Sequence, residues 1–287
     1  MNITGRAKVL GLIGHPVEHS VSPVLHHTLA DILGHEIVYA PFDVKRDLES
    51  AVKGAFELNV QGMNVTVPYK QEVMKYLVDI DPLAQKIGAV NTLVRQENGY
   101  KGYNTDMPGL FRAMVSDGIF IKNGDFYLLG AGGVARAVLL MLLENGAKHV
   151  HIMNRSVENA KALATYMSEG YDTEVTYGTL QSYKDVVLEK AVAIQATNVG
   201  MYPNIDEAII TDAGFYKMID IAYDIIFNPA ITKFMALAKE QDKKAFNGLK
   251  MLLFQGIIAY EYWNQVSVTD DAAEKVYDAM LEELLKR

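Results

Sequence analysis

The sequence predicts an α/β protein of two domains built on largely parallel sheets, and three observations predict it. A chain of 287 residues exceeds what one hydrophobic core ordinarily organises, so length alone suggests two domains. Short, nearly continuous apolar runs at residues 9–13, 63–67, 126–129, 150–153, 192–196 and 218–222 alternate with helical patterns at 23–33, 47–58, 134–145, 157–167 and 232–239. Such runs suit strands covered on both faces, and their alternation with helices is the signature of parallel sheets. The third observation is a glycine-rich turn at residues 130–133, set between an apolar run and a long helical pattern.

One segment breaks the alternation. Residues 89–103 contain two strand-like stretches around Asn98-Gly99, a dipeptide favoured in type I′ turns, so a hairpin is expected there. Residues 250–286 read as two helices, the second carrying Val276, Met280, Leu281 and Leu284 at helical spacing.

Composition excludes several function classes. The net charge of -8, with lysine and arginine scattered, argues against nucleic acid as a partner. No apolar stretch approaches bilayer-spanning length, and the N-terminal apolar segment at residues 9–13 is short; the expectation is a cytoplasmic protein with no membrane partner. Cysteine is absent, which removes disulfides, thiolate catalysis, iron-sulfur clusters and cysteine-ligated zinc. His15, His19, His26, His27 and His35 show no recognisable ligand spacing, so no metal is expected.

The glycine turn gains meaning from its surroundings. Gly130 permits a tight turn, Gly132 lets backbone approach a pyrophosphate, and Ala135 stands where a third glycine would let helix pack on strand. The helix start then offers free N–H groups to phosphate. The next strand ends in Asn154-Arg155-Ser156, where an NAD site usually carries an acidic residue. Arg155 suits a 2′-phosphate and makes NADP the expected cofactor, while Glu158 nearby keeps NAD open.

Three polar clusters fall at strand ends or helix starts in the first 106 residues: HSVSP (19–23), NVTVPYK (64–70) and GAVNT with GYNTD (88–92 and 102–106). They supply donors and acceptors for a polyol carboxylate, plus one lysine and one aspartate. Local readings compete: Ser22 before Pro23 resembles a helix cap with proline at the first position, Lys70 could be a solvated charge, and Asp106 a turn or cap residue.

With the segments ATNVGM (196–201), DIIFNPAIT (224–232) and NGLKMLLFQG (247–256), the chain resembles the shikimate/quinate dehydrogenase family along nearly its whole length. The resemblance implies a substrate domain over residues 1–105, an inserted Rossmann-type NADP domain over 106–246, and C-terminal helices, 247–287, returning to the first domain. It implies that Ser20 and Ser22 hold the substrate carboxylate, that Asn64, Thr66, Asn91 and Gln255 bond ring hydroxyls, and that Lys70 and Asp106 form the catalytic pair. Gly130, Ala131, Gly132, Gly133, Val134, Asn154, Arg155, Ser156 and Thr197 would bind the nucleotide, with Met201 and Gly248 bordering the nicotinamide. The implied partners are small molecules, and the implied assembly is a monomer or homodimer.

Several positions depart from the family pattern. His27 replaces a usual asparagine, Tyr69 a histidine, Met107 a glycine and Gln195 an asparagine, while Phe227 stands where a tyrosine hydroxyl would reach the substrate carboxylate. The leading expectation is NADP-linked interconversion of 3-dehydroshikimate and shikimate. Quinate, with NAD or NADP, is the alternative acid, and a non-catalytic dinucleotide sensor is the alternative of another class.

Overall fold

The computed structural model describes residues 3–188 and 190–286. The chain divides into two compact units, Met1–Gly109 with Leu252–Arg287, and Leu110–Met251.

In the first unit, strands β1 (Lys8–Gly14), β2 (Ile37–Asp43) and β3 (Gly62–Val65) alternate with helices α1 (Ser22–Leu33) and α2 (Leu48–Glu57). They are followed by β4 (Asp79–Ile80), α3 (Pro82–Ile87), β5 (Thr92–Gln96) and β6 (Gly99–Tyr103). The sheet order is β2-β1-β3-β5-β6-β4. β1 pairs in parallel with β2 and β3, whereas β5 runs antiparallel to both β3 and β6. The hairpin forms, but its turn lies one residue earlier than Asn98-Gly99 implies. Gln96 pairs with Gly99, so Glu97 and Asn98 make the turn, and neither has the positive φ that type I′ requires. Gly99 instead opens β6 at φ 153°, where a Cβ would meet Val78 at 2.6 Å.

Helix α4 (Asp106–Ser116) leads into the second unit, and α9 (Leu249–Asn264) leads back. Both helices straddle the unit boundary, which therefore lies a few residues beyond the expected breaks at 105/106 and 246/247. α9 is buried on all sides over residues 253–260, as a helix apolar all round must be. Its Trp263 donates from Nε1 to the Leu93 carbonyl at 2.8 Å and occupies the space that any side chain at Gly62 would need. The last helix, α10 (Asp270–Leu285), is capped by Thr269 and buries Ala272, Ala273, Val276 and Met280.

The second unit contains β7 (Asp125–Leu129), α5 (Gly133–Glu144), β8 (His149–Met153), α6 (Val157–Met167) and β9 (Glu174–Gly178). Then come β10 (Ala191–Gln195), α7 (Ala213–Met218), β11 (Ile219–Asp224), α8 (Lys233–Lys239) and β12 (Lys244–Phe246). All its strand pairs are parallel, in the order β12-β11-β10-β7-β8-β9. Counted from β7, that is the doubly wound 3-2-1-4-5-6 order, whose winding reverses between β7 and β10. The core beneath it is aromatic, with Tyr127, Phe215, Tyr216 and Phe234 fully enclosed.

Two buried imidazoles make stability depend on pH. Burial lowers His26 to about 3 and His151 to about 4, so both are neutral in the native state while the unfolded chain protonates them near 6.5. The native state is favoured above pH 6.5, and that stabilisation drains away as pH falls toward 4. Asp224, raised by burial to about 6, acts with the opposite sign and offsets part of the loss. Chemical denaturation at pH 7 and pH 5 is expected to show a net loss on the order of 2 kcal/mol. His151→Asn should flatten the profile; an unchanged slope would show that His151 is charged or exposed in the native state.

Candidate active site

Lys70 lies in the turn after β3, tied down by its neighbours. Thr66 N–H donates to the Ile13 carbonyl at 2.9 Å, Val90 N–H donates to the Lys70 carbonyl at 2.7 Å, and the Tyr69 hydroxyl donates to the Val44 carbonyl at 2.6 Å. Asp106 opens α4 but does not cap it. That task falls to Asn104, whose Oδ1 accepts from the N–H groups of Asp106 and Met107. The carboxylate is thereby free to turn toward Lys70, whose Nζ donates to Oδ2 at 2.7 Å. The pair is only partly buried, at 28% and 16% side-chain exposure for Lys70 and Asp106, so a ligand can reach it.

Asn91 fixes the other carboxylate oxygen. Its Nδ2 donates to Asp106 Oδ1 at 2.9 Å and to Thr105 Oγ1 at 3.0 Å. Its Oδ1 accepts from Thr105 N–H at 2.8 Å and Thr92 Oγ1 at 3.0 Å. Gln255 of α9 comes within 3.5 Å of the same amide. Asn91 is thus engaged with protein at both ends, which makes it a support for Asp106 as well as an expected ligand group.

Ser22 is not the cap of α1. Val21 occupies that position without a side-chain bond, and Ser20 Oγ accepts from Ser22 N–H at 3.1 Å. The Ser22 side chain is buried and bonds toward Tyr39. Asn64 Oδ1 accepts from the Tyr39 hydroxyl at 2.8 Å and lies 3.2 Å from His26 Nε2, so its amide N–H groups point the other way, toward Asn91 O and Thr92 Oγ1 at 3.4 and 3.3 Å. Thr66 is half-buried at the end of β3. The first unit therefore brings together Lys70, Asp106, Asn91, Asn64 and Gln255, with Ser22 linked to Asn64 through Tyr39. Thr92, Thr105, Asn104, Tyr39 and His26 complete the network and carry no assignment from sequence. Asn104 and Thr105 were visible inside the GYNTD cluster, whereas nothing in a mid-strand tyrosine signals Tyr39.

In the second unit, Gly130 has φ 114°, and a Cβ there would sit 2.7 Å from Thr197 and 2.9 Å from the Ala196 carbonyl. Only glycine lets the β7 turn lie against the loop after β10. Gly132 forms the start of α5 with no side-chain cap, and a Cβ on Gly132 or Gly133 would meet nothing within 4 Å. This open cradle of first-turn N–H groups, flanked by Ala131 and exposed Val134, fits a pyrophosphate. Asn154 Nδ2 donates to the Ser156 carbonyl at 2.9 Å, and Ser156 caps α6 by accepting from Asn159 N–H at 3.4 Å. Both side chains build the turn that leaves Arg155 exposed, as a phosphate-binding arginine must be. Glu158 is held below the usual carboxylate range by its own backbone N–H and by Ser156, so this carboxylate is engaged locally. Met201 is exposed and Gly248 buried, a Cβ on the latter colliding with the Ile225 carbonyl at 2.0 Å. Phe227 follows β11, half-buried. Among the described residues no group of His, Asp and Glu is gathered to hold a metal, and no helix is long and apolar enough to cross a membrane.

A doubly wound nucleotide sheet in one chain with a supported lysine–aspartate pair defines the class of dinucleotide-dependent oxidoreductases. Comparison with known proteins narrows it. The profile of the shikimate dehydrogenase substrate binding domain matches residues 12–93, and that of shikimate / quinate 5-dehydrogenase matches residues 117–225. The shikimate dehydrogenase (NADP(+)) of Desulforamulus reducens is 40% identical, covering 96% of both chains. A crystal structure of a shikimate dehydrogenase in complex with NADP+ superposes with a TM-score of 0.87 at 37% identity, covering 99% of this chain and 98% of that one. The Thermus thermophilus shikimate 5-dehydrogenase in complex with NADP(H) and shikimate gives 0.83 at 30% identity, covering 95% and 99%. The chain belongs to the shikimate dehydrogenase family.

Gly109, one turn into α4, is where that helix meets Gln255: a Cβ would sit 2.7 Å from the Gln255 backbone nitrogen. Gly109→Ala is expected to cost about 1–3 kcal/mol in urea denaturation and to raise KM for the acid substrate by displacing Gln255. Wild-type stability would show that the two helices have slack at this crossing.

Proposed function

We propose that this chain catalyses the reversible, NADP-dependent reduction of 3-dehydroshikimate to shikimate, with Lys70 and Asp106 as the acid-base pair. The observation that carries this reading is the 2.7 Å contact between Lys70 Nζ and Asp106 Oδ2, half-open to ligand and backed by Asn91. Relatives named for NADP(+) and shikimate supply the cofactor and the acid.

NADPH, when bound, supplies the hydride that converts the ketone carbon to the alcohol carbon. The protein's part is protonic and positional. The Lys70 ammonium donates a proton to the oxygen that gains negative charge, and its own charge stabilises that oxygen beforehand. Asp106 keeps the ammonium aimed; Asn91 keeps Asp106 Oδ1 occupied, so that Oδ2 faces the lysine. In the oxidative direction the same pair withdraws the proton. Ser20 and Ser22 would receive the carboxylate, and Asn64, Thr66, Asn91 and Gln255 the ring hydroxyls. Asn64 suits that role because its oxygen is held by Tyr39 at 2.8 Å, while its N–H groups make only long bonds of 3.4 and 3.3 Å to Asn91 O and Thr92 Oγ1 that a ring hydroxyl would exchange for its own. Gly130 to Val134, Asn154 to Ser156, Thr197, Met201 and Gly248 would hold the cofactor.

Lys70→Ala is expected to lower kcat for shikimate oxidation by about 10²–10⁴-fold with NADP+ affinity retained, measured by steady-state rates and cofactor titration. Full activity at neutral pH would remove Lys70 from the chemistry, and preferential turnover of quinate by wild type would reassign the acid. For the cofactor, Arg155→Ala is expected to raise KM for NADP+ by roughly 10- to 100-fold, the value of a charged hydrogen bond to phosphate, while the weaker reaction with NAD+ stays unchanged. Equal losses with both cofactors would mean that Arg155 does not contact the 2′-phosphate.

A further inference from the structure

Asp224, the last residue of β11, is fully buried, and no step of the proposed chemistry uses it. Placing a carboxylate in such a position is costly unless it is well bonded, so its partners indicate what it does. Oδ1 accepts from the Ile226 N–H at 3.0 Å. Oδ2 accepts from the Thr232 hydroxyl at 2.6 Å, and Thr232 in turn caps α8. Gln195 Nε2, at the end of β10, donates to Oδ1 at 3.3 Å and to the Val199 carbonyl at 3.0 Å.

Gln195 carries the effect onward. Its Oε1 accepts from both the N–H and the hydroxyl of Thr197, and the Thr197 oxygen accepts from Val199 N–H at 3.2 Å. The loop from Thr197 to Met201 is therefore folded around one carboxamide whose orientation Asp224 sets: a reversed amide would put an oxygen against the carboxylate. On the other side, Asp224 pins Ile226, and the Ile226 carbonyl accepts from Gly248 N–H at 2.9 Å. A single buried carboxylate thus ties together three loops: the one that carries Thr197 and Met201, the one from Ile226 to Thr232 after β11, and, through Ile226, the one that carries Gly248. Among the described residues its hydrogen bonds go to Gln195, Ile226 and Thr232, and none goes to the Gly130–Val134 cradle or the Asn154–Ser156 turn, where phosphate and adenosine would sit.

We infer that Asp224 is a positioning residue for the nicotinamide end of the cofactor, acting through Gln195, Ile226 and Thr232 and not on the adenosine end. The inference rests on the proposed cofactor site. It separates the two ends of one ligand, which a role in global stability would not do.

The test uses Asp224→Asn, and Thr232→Val with Thr232→Ser as its conservative partner, in the full-length protein. Asp224→Asn keeps the shape but turns a donor toward Gln195 or Thr232. The expected result is a fall in kcat of about 10-fold or more, since small misplacements of a reacting group are costly, with KM for shikimate little changed. Affinity for 2′,5′-ADP should be retained, and the fluorescence change of bound NADPH, a report on the nicotinamide alone, should be reduced. Thr232→Val should show the same pattern more weakly, and Thr232→Ser should restore it. Variants that lose thermal stability but keep kcat and the NADPH signal would overturn the inference, as would parallel loss of 2′,5′-ADP binding. If wild type binds NADPH yet turns over no shikimate, the proposed reaction fails, and the fluorescence and 2′,5′-ADP arms still decide the role of Asp224.

Discussion

A buried carboxamide must find partners for both its oxygen and its nitrogen, and the first unit is organised around meeting that demand at Asn91. The residue sits at the entrance to β5 with almost no exposure, and an unmet amide there would cost about 1–3 kcal/mol. Its oxygen is met by Thr92 and Thr105, its nitrogen by Thr105 and Asp106. Those bonds fix the start of α4 against the end of the hairpin, and with them the direction of the Asp106 carboxylate. Charge placement follows from this neutral scaffold.

The lysine–aspartate pair itself contributes little to holding the fold. Partly exposed ion pairs are worth at most about 1 kcal/mol, and this one is open enough to be solvated. What confines it is the backbone around it: the turn after β3 is bonded to β1 on one side and, through Lys70 O, to Val90 on the other. A flexible lysine stem is thus rooted in a rigid turn opposite a rigid helix start. This arrangement favours chemistry, since orientation is set before ligand arrives.

The second unit obeys a different constraint, the close approach of backbone at the point where the sheet's winding reverses. β7 and β10 are neighbours, the turn after β7 lies against the loop after β10, and glycine stands where backbone crowds, both there and beside the end of β11. Gly130 avoids Thr197 and Ala196, and Gly248 avoids Ile225. Gly132 and Gly133 answer the opposite need, open space at the start of α5. Placing Asp224 beneath these loops keeps them in register while the cradle at α5 remains uncommitted.

Most elements and the division of labour between the two halves were legible in the sequence, because burial on both faces writes a strand as an apolar run and a helix as a period of about 3.6 residues. The glycine turn, Lys70 and Asp106 were likewise legible as local clusters. Local patterns misplaced other features. Asn98-Gly99 looks like a hairpin turn, but pairing of Gln96 with Gly99 set by the sheet moved the turn to Glu97-Asn98; Ser22 looks like a cap, but Val21 took that position. Tyr39, His26, Gln195 and Asp224 could not be assigned from sequence. Their significance lies in bonds spanning 25 residues from Tyr39 to Asn64 and 29 from Gln195 to Asp224, distances over which no local propensity operates. The sequence by itself determined which segments become strands and helices and which residues can carry a proton or bind a phosphate. Only the tertiary structure decided which of them support one another, because hydrogen bonds are directional and of short range, and packing alone brings such distant donors and acceptors within 3 Å or so of each other.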